Sequence, residues 1–475
     1  MANVPVDECN NVLRGVLGYG YYNATTPERH CDYTKPEKLQ DYFYKIEYED
    51  YDYAEGYQYM KNWGPNESNF NSASGMVSSN FGCSCMRKDN YVVRSFDWLY
   101  NQSPTFFIKT KATKGKFATI GTTFTLSDVT AAMIDAGEEL EVYKYLPFLT
   151  VDVINENGVY INNNVVTAGE KGKVTNQNTG KQRICQLMLI RYIGDYAKSA
   201  KHAVELFKGV DAFAPANKIG YEAHFALCDK DNSYIIEYIN NNLKVMSNTD
   251  EEYEPIPNDI MIMTNFYIDG WNGQIKAVYK GDSKEEVRMT GLTPYSCGLE
   301  RYDLLYNGYR NLNTLENYKK MLYNIRYTKT YLSETQPHWY SEYVGNGAFG
   351  DLSIYSTEED FRLIDEKGQQ LYREGKRDGS YWISRHSCVY NLDKKVMYIC
   401  VDEMYDKWYK FKIDSIDDGS NLEDLDDVEF TDLEKDDFIS YDSRDGKWKN
   451  VDFPLEMKTD DEEETLVLNI NVFND

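Results

Sequence analysis

A cysteine that is followed at short range by an arginine and an aspartate is the part of this sequence best suited to chemistry. A thiol has a reference pKa of about 8.5, so a cysteine that acts as a nucleophile near neutral pH needs a nearby base or positive charge. Arg94 and Asp97 follow Cys83 and are the charged residues of the second strand of a predicted hairpin, 91–98. Their positions are suited to a thiol nucleophile at Cys83, although a lone cysteine next to a strand more often only fills a core.

The residue before this cysteine, Gly82, suggests how one residue can supply both the nucleophile and the base. If the chain is cut between Gly82 and Cys83, the new α-amine has a reference pKa of about 8 and lies on the nucleophile's own residue. Asp97 would then hold the ammonium in place, and Arg94 would stabilise the thiolate and the developing negative charge. No histidine is required in this arrangement.

Two asparagine-containing segments can supply the oxyanion donor that such a reaction needs. Asn265 follows a short apolar stretch, and Asn164 ends a run of three asparagines. If that run is a strand, alternation places Asn162 and Asn164 on one face and Asn163 on the other. Asn265 and Asn164 are therefore the candidates, and the choice between Asn162 and Asn164 stays open.

Short β-hairpins are predicted to position these residues. Polar turns at 87–90, 155–158 and 229–232 each separate two apolar runs with strand character, and the second turn contains an Asn-Gly pair. Asn-Gly is a strong hairpin signal. A further hairpin is predicted over 388–400.

Helices are predicted in three places. Apolar residues at helical spacing predict one amphipathic helix between about 183 and 208, and the blocks 301–333 and 358–374 also have helical character. Antiparallel hairpins with helices packed over them give an α+β fold.

The charge balance disfavours two classes of partner. The chain has 475 residues with 51 basic and 77 acidic side chains, which gives a formal net charge of −26. Nucleic acids and anionic membrane surfaces are bound by concentrated basic residues, and this sequence has no long Lys/Arg run. It also has no stretch of about 18 consecutive apolar residues, so no membrane-spanning helix is predicted.

Metal chemistry has no recognisable signature. The nine cysteines form no Cys-x-x-Cys cluster, and the five histidines form no His-Glu-x-x-His helix. No metal site of these kinds is therefore expected.

The cysteine motif is the first of four short motifs along the chain. In chain order the motifs are Gly82-Cys83-Ser84 with Arg94-Ser95-Phe96-Asp97-Trp98, then Asn155-Glu156-Asn157-Gly158, Met263-Thr264-Asn265-Phe266 and Gly298-Leu299-Glu300-Arg301-Tyr302. Together, over roughly 83–413, they resemble the choloylglycine hydrolase and penicillin V acylase family of N-terminal nucleophile hydrolases.

This resemblance implies a four-layer αββα sandwich and hydrolysis of a linear amide bond. The implied substrate is a small N-acyl compound such as a bile-salt conjugate, an N-acyl amide or amino acid, or penicillin V. The protein would be a zymogen that cuts itself at Gly82–Cys83 and uses no cofactor. The implied catalytic residues are Cys83, Arg94, Asp97, Asn164, Asn265 and Arg301.

The sequence departs from the family pattern around the nucleophile. The hairpin from Cys83 to the arginine is several residues shorter than usual, and Val93 and Ser95 stand where the family has glycine and asparagine. Cys85 is therefore a competing nucleophile, although the Gly-Cys-Ser junction favours Cys83. Arg301 can be either a catalytic support or a structural ion-pair residue.

Three segments are expected along the chain: a propeptide-like segment 1–82, an amidase domain 83–413 and an acidic extension 414–475. The extension has 22 acidic and five basic side chains, so it carries −17 of the net charge. The start of the chain lacks the cationic and apolar parts of a signal peptide. A cytoplasmic location is expected if this start is native, and secretion if a leader was removed; a homo-oligomer stays open.

Two other functions stay open. The first is an amidase or acyltransferase that pairs a cysteine with His224 or His386 and is active without chain cleavage. The second is a catalytically inactive protein whose acidic extension recruits a basic partner.

Overall fold

The structure is a computed structural model. It describes residues 31–53, 56, 83–100, 104–113, 115–124, 131–167, 175–214, 221–256, 260–265, 267–268, 299–326, 381–405, 407–413, 423–424, 439–442 and 447–450. Gly82, the predicted helix at 358–374 and most of the acidic extension lie outside these residues.

The described residues form strands and short helices. The strands are β1 (Asp32–Tyr33), β2 (Glu37–Gln40), β3 (Phe43–Asp50), β4 (Ser84–Lys88), β5 (Tyr91–Tyr100), β6 (Thr105–Thr110), β7 (Thr119–Phe124), β8 (Thr150–Asn155), β9 (Tyr160–Thr167), β10 (Gln182–Cys185), β11 (Val210–Phe213), β12 (Tyr221–Cys228), β13 (Ser233–Ile239), β14 (Asn242–Ser247), β15 (Met261–Met263), β16 (Tyr381–Asn391), β17 (Val396–Val401), β18 (Tyr409–Lys412), β19 (Glu423–Asp424), β20 (Ile439–Asp442) and β21 (Lys447–Asn450). The α-helices are α1 (Ala131–Asp135), α2 (Gln186–Tyr196), α3 (Ala200–Lys208), α4 (Leu299–Gly308) and α5 (Leu315–Asn324). Within the described part of the chain, none of these helices has the length and apolarity to cross a membrane.

Two large sheets dominate the fold. The ten-stranded sheet has the order β1-β3-β6-β7-β8-β9-β12-β13-β14, with β2 paired to β3. The seven-stranded sheet has the order β15-β4-β5-β16-β17-β18-β19. Neighbours in these sheets are antiparallel, except that β3 and β6 run parallel.

Alternation along the strands of the ten-stranded sheet divides the core into two clusters. On β6, Phe106 and Ile108 belong to the cluster that contains α2 and α3, whereas Phe107 belongs to the cluster shared with the seven-stranded sheet. Helices α4 and α5 contact strands β4, β5, β15 and β16 of that second sheet. The layer order is therefore helices, sheet, sheet, helices, and the predicted α+β fold with an αββα sandwich is confirmed.

The predicted hairpins form as β4–β5, β8–β9, β12–β13 and β16–β17. Contacts within the β8–β9 turn explain why its sequence forms a hairpin. Asn155 Oδ1 accepts hydrogen bonds from the backbone N–H groups of Asn157 and Val159, both at 3.0 Å. Gly158 has φ of 77°, and a Cβ there would lie 2.7 Å from the Leu392 carbonyl oxygen. The turn therefore requires glycine.

The prediction of one helix over 183–208 is wrong. Residues 182–185 form β10, and residues 197–199 separate α2 from α3. Ser199 is the N-cap of α3, and its Oγ accepts a hydrogen bond from the backbone N–H of His202 at 3.1 Å. Both helices pack on the same face of the ten-stranded sheet, so the apolar periodicity continues across the break.

The predicted 301–333 block is helical over most of its described part, but it is also interrupted. Thr314 caps α5 by accepting a hydrogen bond from the backbone N–H of Asn317 at 3.2 Å. Residues 327–333 lie outside the described residues.

The segment that precedes Cys83 contributes strands to the ten-stranded sheet. Strand β3 lies between β1 and β6, and Tyr44, Ile46 and Tyr48 are buried in its core. The Tyr48 hydroxyl donates a hydrogen bond to the Tyr143 carbonyl at 2.6 Å. Residues 43–50 are therefore packed as an internal element.

Candidate active site

The β4–β5 hairpin brings Cys83 close to Arg94 and Asp97. Cys83 lies directly before β4, and the register pairs Ser84 with Ser95. Cys83 is only 1% exposed and packs in a small cluster with Phe96 and Val151. The structure thus brings together the three residues that the sequence motif selected.

The Cys83 thiol lies in an environment with opposing electrostatic effects. Its Sγ donates a hydrogen bond to the Asp97 carbonyl oxygen, with a separation of 3.8 Å. Burial raises the pKa of the Cys83 thiol, the Arg94 guanidinium opposes that shift, and the Asp97 side chain adds to it. Because the net shift is upward, a base must remove the proton before Cys83 can act as a nucleophile.

Arg94 is fully buried and held from several sides. Its Nη1 donates to Asn164 Oδ1 at 2.6 Å and to the Ser95 carbonyl at 2.8 Å. Its Nη2 donates to the Asn163 carbonyl at 2.9 Å. Its Nε lies 3.7 Å from Asp152 Oδ2. These contacts fix a positive charge beside the thiol.

Asp97 is a buried carboxylate with hydrogen bonds to one oxygen and an ion pair at the other. Its Oδ1 accepts hydrogen bonds from Ser384 Oγ at 2.6 Å and from Ser95 Oγ at 3.1 Å. Its Oδ2 forms an ion pair with Arg301. Burial raises the pKa of Asp97 to about 6, although Arg301 and the serine donors oppose the shift. Asp97 therefore changes charge in a range where an enzyme can be assayed.

Arg301 lies in α4 and is also fully buried. Its contact with Asp97 joins the seven-stranded sheet to the helix layer that covers it. Arg301 therefore interacts with the candidate site through its ion pair with Asp97.

A second buried carboxylate, Asp152, was missed by sequence reasoning. Its Oδ2 lies 2.9 Å from His386 Nε2, and its Oδ1 accepts hydrogen bonds from Thr122 at 2.7 Å and from Tyr390. Burial raises its pKa, but His386, Arg94 and the Tyr390 hydroxyl hold the pKa of Asp152 below its usual value. An acidic residue inside the apolar run 148–154 was the available signal.

His386 lies between the two sheets and stacks on Phe96, with ring centroids 4.9 Å apart. Its Nε2 is also 3.0 Å from Thr122 Oγ1. Burial lowers the pKa of His386, and this outweighs the opposing effect of Asp152. A neutral ring that donates from Nε2 to Asp152 satisfies this geometry.

Asp152, His386 and Cys388 form a buried group whose ligand atoms all lie within 4.8 Å of one another. The carboxylate already accepts hydrogen bonds from three side chains, and the Arg94 guanidinium lies next to it. A nearby positive charge opposes binding of a second cation. The group therefore functions as a hydrogen-bond network around Arg94.

Asn164 connects Arg94 to the strand that leads to Asn265. While Asn164 Oδ1 accepts from Arg94, its Nδ2 donates to the carbonyl oxygens of Met263 at 3.0 Å and Thr264 at 2.9 Å. Both amide hydrogens are therefore used within the protein. Asn162 Nδ2 donates to Asn164 Oδ1 at 3.1 Å, so the two side chains share the face that alternation predicted.

Asn265 lies just beyond β15, which pairs with β4. The antiparallel register places Met263 opposite Cys85. Continuing it by two residues brings Asn265 to the level of Cys83. Among the residues that the structure describes, the Val165 carbonyl accepts the one hydrogen bond that Asn265 Nδ2 donates, at 2.6 Å. An amide nitrogen has two hydrogens, so one remains for an oxyanion.

Cys85, the competing nucleophile, lies inside β4 opposite Arg94. It is fully buried, and burial raises its pKa to about 12 despite the opposing effects of Arg94 and Tyr160. Cys85 is paired within the sheet on both sides, with Met263 and with Arg94, whereas Cys83 lies before the strand.

The solved structures to which the chain is similar include three at low sequence identity. One variant of conjugated bile acid hydrolase from Clostridium perfringens has a TM-score of 0.35 at 12% identity, over 72% of this chain and 96% of that chain. Another variant of that enzyme has a TM-score of 0.34 at 11% identity and the same coverage. Penicillin V acylase from Agrobacterium tumefaciens has a TM-score of 0.30 at 11% identity, over 68% of this chain and 82% of that chain. No protein-family model and no curated protein sequence matches the chain.

Proposed function

We propose that the protein is an N-terminal cysteine amidase that hydrolyses the linear amide bond of small N-acyl substrates. The observation that carries this proposal is the placement of Cys83 beside the buried Arg94 and Asp97, with Asn265 just beyond the neighbouring strand β15. A nucleophile, a fixed cation, an anion for the α-ammonium and an amide donor are the groups that this reaction needs.

The reaction proceeds through a thioester. The α-amine of Cys83 takes the thiol proton, and Sγ bonds to the carbonyl carbon of the substrate amide. The amide C–N bond breaks, and the ammonium returns its proton to the departing amine. Water then adds to the thioester, which releases a carboxylic acid and restores the thiol.

Each polar residue has a defined task in these steps. Asp97 holds the α-ammonium, and Arg94 stabilises the thiolate. The free amide hydrogen of Asn265 binds the oxyanion that develops on the substrate carbonyl oxygen. Asn164 and Arg301 support the site through their contacts with Arg94 and Asp97.

The α-amine is produced by self-cleavage of the peptide bond between Gly82 and Cys83. The Cys83 thiol adds to the Gly82 carbonyl carbon, and the C–N bond breaks to give a thioester and the α-amine. Water opens that thioester, so residue 82 becomes a carboxylate. Arg94 and Asp97 lie close enough to Cys83 to serve this step as well.

The N-terminal segment remains bound after the cut. Strand β3 pairs with β6 along six residues and is covered by the core, so its removal would expose apolar surface and break a sheet. The mature enzyme is therefore a two-chain protein, with one chain that ends at Gly82 and another that begins at Cys83 and includes the acidic extension.

The Cys–His alternative has weaker support in the geometry. His386 Nε2 faces Asp152 and Thr122, and His224 faces Glu237 and the Thr264 carbonyl. The charged side chains that shift the pKa of Cys83 are Arg94 and Asp97.

Hydrolysis of a panel of acyl amides tests the proposal. The panel should contain a bile-salt conjugate, a fatty N-acyl amide, an N-acyl amino acid and penicillin V, with amine release as the measured quantity. We expect turnover of at least one substrate by the wild type and none by Cys83→Ala. No turnover of any linear amide by correctly cut protein would contradict the proposed function.

A further inference from the structure

Two buried titratable side chains that the proposed reaction does not use, His224 and Glu237, lie beside the segment that carries Asn265. Both are fully buried, on the adjacent strands β12 and β13. His224 Nδ1 lies 3.0 Å from Glu237 Oε1. Placing two ionisable groups inside a core is costly unless their hydrogen bonds are satisfied.

The pair makes two further contacts, one on each side of Asn265. His224 Nε2 donates to the Thr264 carbonyl at 2.7 Å. Glu237 Oε1 accepts from the backbone N–H of Ile268 at 2.7 Å. The residue directly before Asn265 and the residue three positions after it are therefore tied to one side-chain pair.

The hydrogen-bonding requirements make the two members of the pair depend on each other. A carbonyl oxygen only accepts, so His224 Nε2 must carry a hydrogen in this contact. A proton then lies between His224 Nδ1 and Glu237 Oε1, whichever of the two groups formally holds it. Loss of either side chain leaves the other buried with an unmet hydrogen bond, so the bridge acts as a unit.

The Thr264 carbonyl also accepts a hydrogen bond from Asn164 Nδ2, and Asn164 Oδ1 accepts one from Arg94. The bridge therefore fixes the chain around Asn265 relative to the groups that surround Cys83. We infer that His224 and Glu237 are positioning residues that hold Asn265 in the geometry needed for the oxyanion. This inference rests on the proposed function, because it needs Asn265 to be the oxyanion donor.

A double-mutant cycle tests whether the pair acts through Asn265. Asn265→Ala should lower kcat roughly 10²–10³-fold with little change in KM. His224→Gln, which conserves volume, should lower kcat by about 10–100-fold in the wild-type background, since small misplacements of a catalytic group are costly. In the Asn265→Ala background, the same change should cost less than about twofold, because its target is gone.

Two further variants extend the double-mutant cycle, one as a second test and one as a control. Glu237→Gln should reproduce the non-additivity of His224→Gln. Tyr234→Phe is the matched control, since Tyr234 lies on the same strand as Glu237 and its hydroxyl donates to Asp250 at 2.9 Å, away from Asn265. It should lower thermal stability without changing kcat. Additive effects of His224→Gln and Asn265→Ala on kcat would overturn the inference.

Hydrogen exchange supplies a readout that does not depend on activity. In His224→Gln and Glu237→Gln, amides in a peptide covering 260–268 should exchange faster, while those of the paired strands β12 and β13 keep their protection. Unchanged exchange in that peptide would overturn the bridge itself. A wild type that hydrolyses no acyl amide would contradict the proposed function instead, and the exchange result would still decide whether the bridge exists.

Discussion

Arg94 and Arg191 are both fully buried beside an aspartate, yet their surroundings give them different tasks. Arg191 Nη2 lies 2.8 Å from Asp195 Oδ1, a closer contact than the 3.7 Å between Arg94 Nε and Asp152 Oδ2. Arg94 instead donates its short hydrogen bonds to neutral acceptors such as Asn164. Its charge is therefore less directly neutralised and acts on the nearby thiol.

The Arg191 pair holds the N-terminal segment. The hydroxyls of Tyr51 and Tyr53 both donate to Asp195 Oδ2 at 2.6 Å, and the Arg191 guanidinium lies 5.7 Å from the centre of the Tyr51 ring. Strand β3 leads directly into these tyrosines. A buried ion pair alone therefore does not indicate an active site. Its role depends on which other groups lie close enough to interact with its charges.

The largest expected effect follows from removing the thiol. Cys83→Ala should abolish both amide hydrolysis and cleavage of the chain, because it removes the nucleophile of both reactions while deleting little volume. Cys85→Ala removes the same atom two residues away and should keep most activity. An inactive Cys85→Ala combined with an active Cys83→Ala would show that the nucleophile has been misidentified.

Exchanging each arginine for glutamine tests directly whether the two residues have different roles. Arg94→Gln should lower kcat/KM by roughly 10²–10³-fold per folded molecule, since it removes the charge that stabilises the thiolate. Arg191→Gln should instead lower the free energy of unfolding by about 3–5 kcal/mol, because Asp195 loses its positively charged partner in the core. Kinetics and thermal unfolding of both variants separate the two effects. A similar loss of kcat/KM in both would contradict the division of roles.

A smaller effect is expected on the pH profile. Asp97 must be anionic to hold the α-ammonium, and its pKa is about 6, so activity should fall as the pH falls through that value. Ser384→Ala removes a hydrogen bond that favours the anion. The acid limb of kcat/KM should therefore move to higher pH, by about one unit.

The same pKa shift predicts how stability depends on pH. The pKa of Asp97 in the folded protein lies above the unfolded value of about 3.9, so the folded state binds more protons between these values. The contribution of Asp97 to stability is therefore greatest at low pH and decreases as the pH rises through about 6. If the acid limb of the kcat/KM profile does not move in Ser384→Ala, that limb does not report the ionisation of Asp97.

The sequence was most informative where structure is local. Turn residues such as Asn155 and Gly158 specify a hairpin through contacts within a few positions, and the β4–β5 hairpin carries Cys83, Arg94 and Asp97 together. The site motif and the α+β architecture could therefore be predicted.

Contacts between distant segments could not be predicted in this way. Asp152 and His386 are 234 positions apart and meet only because the two sheets face each other. The parallel pairing of β3 with β6 likewise has no local signal, so the sequence did not show that the segment preceding Cys83 contributes a strand to the ten-stranded sheet. The break between α2 and α3 was missed because both helices bury apolar residues on one sheet face.

The central claim is that Cys83 acts as an N-terminal nucleophile, and the intact masses of the chains in purified active enzyme test it most directly. We predict one chain that begins at Cys83, together with a bound fragment that ends at Gly82, and no cleavage in Cys83→Ala. Full amidase activity from a protein whose chain is shown to be uncut would contradict the claim.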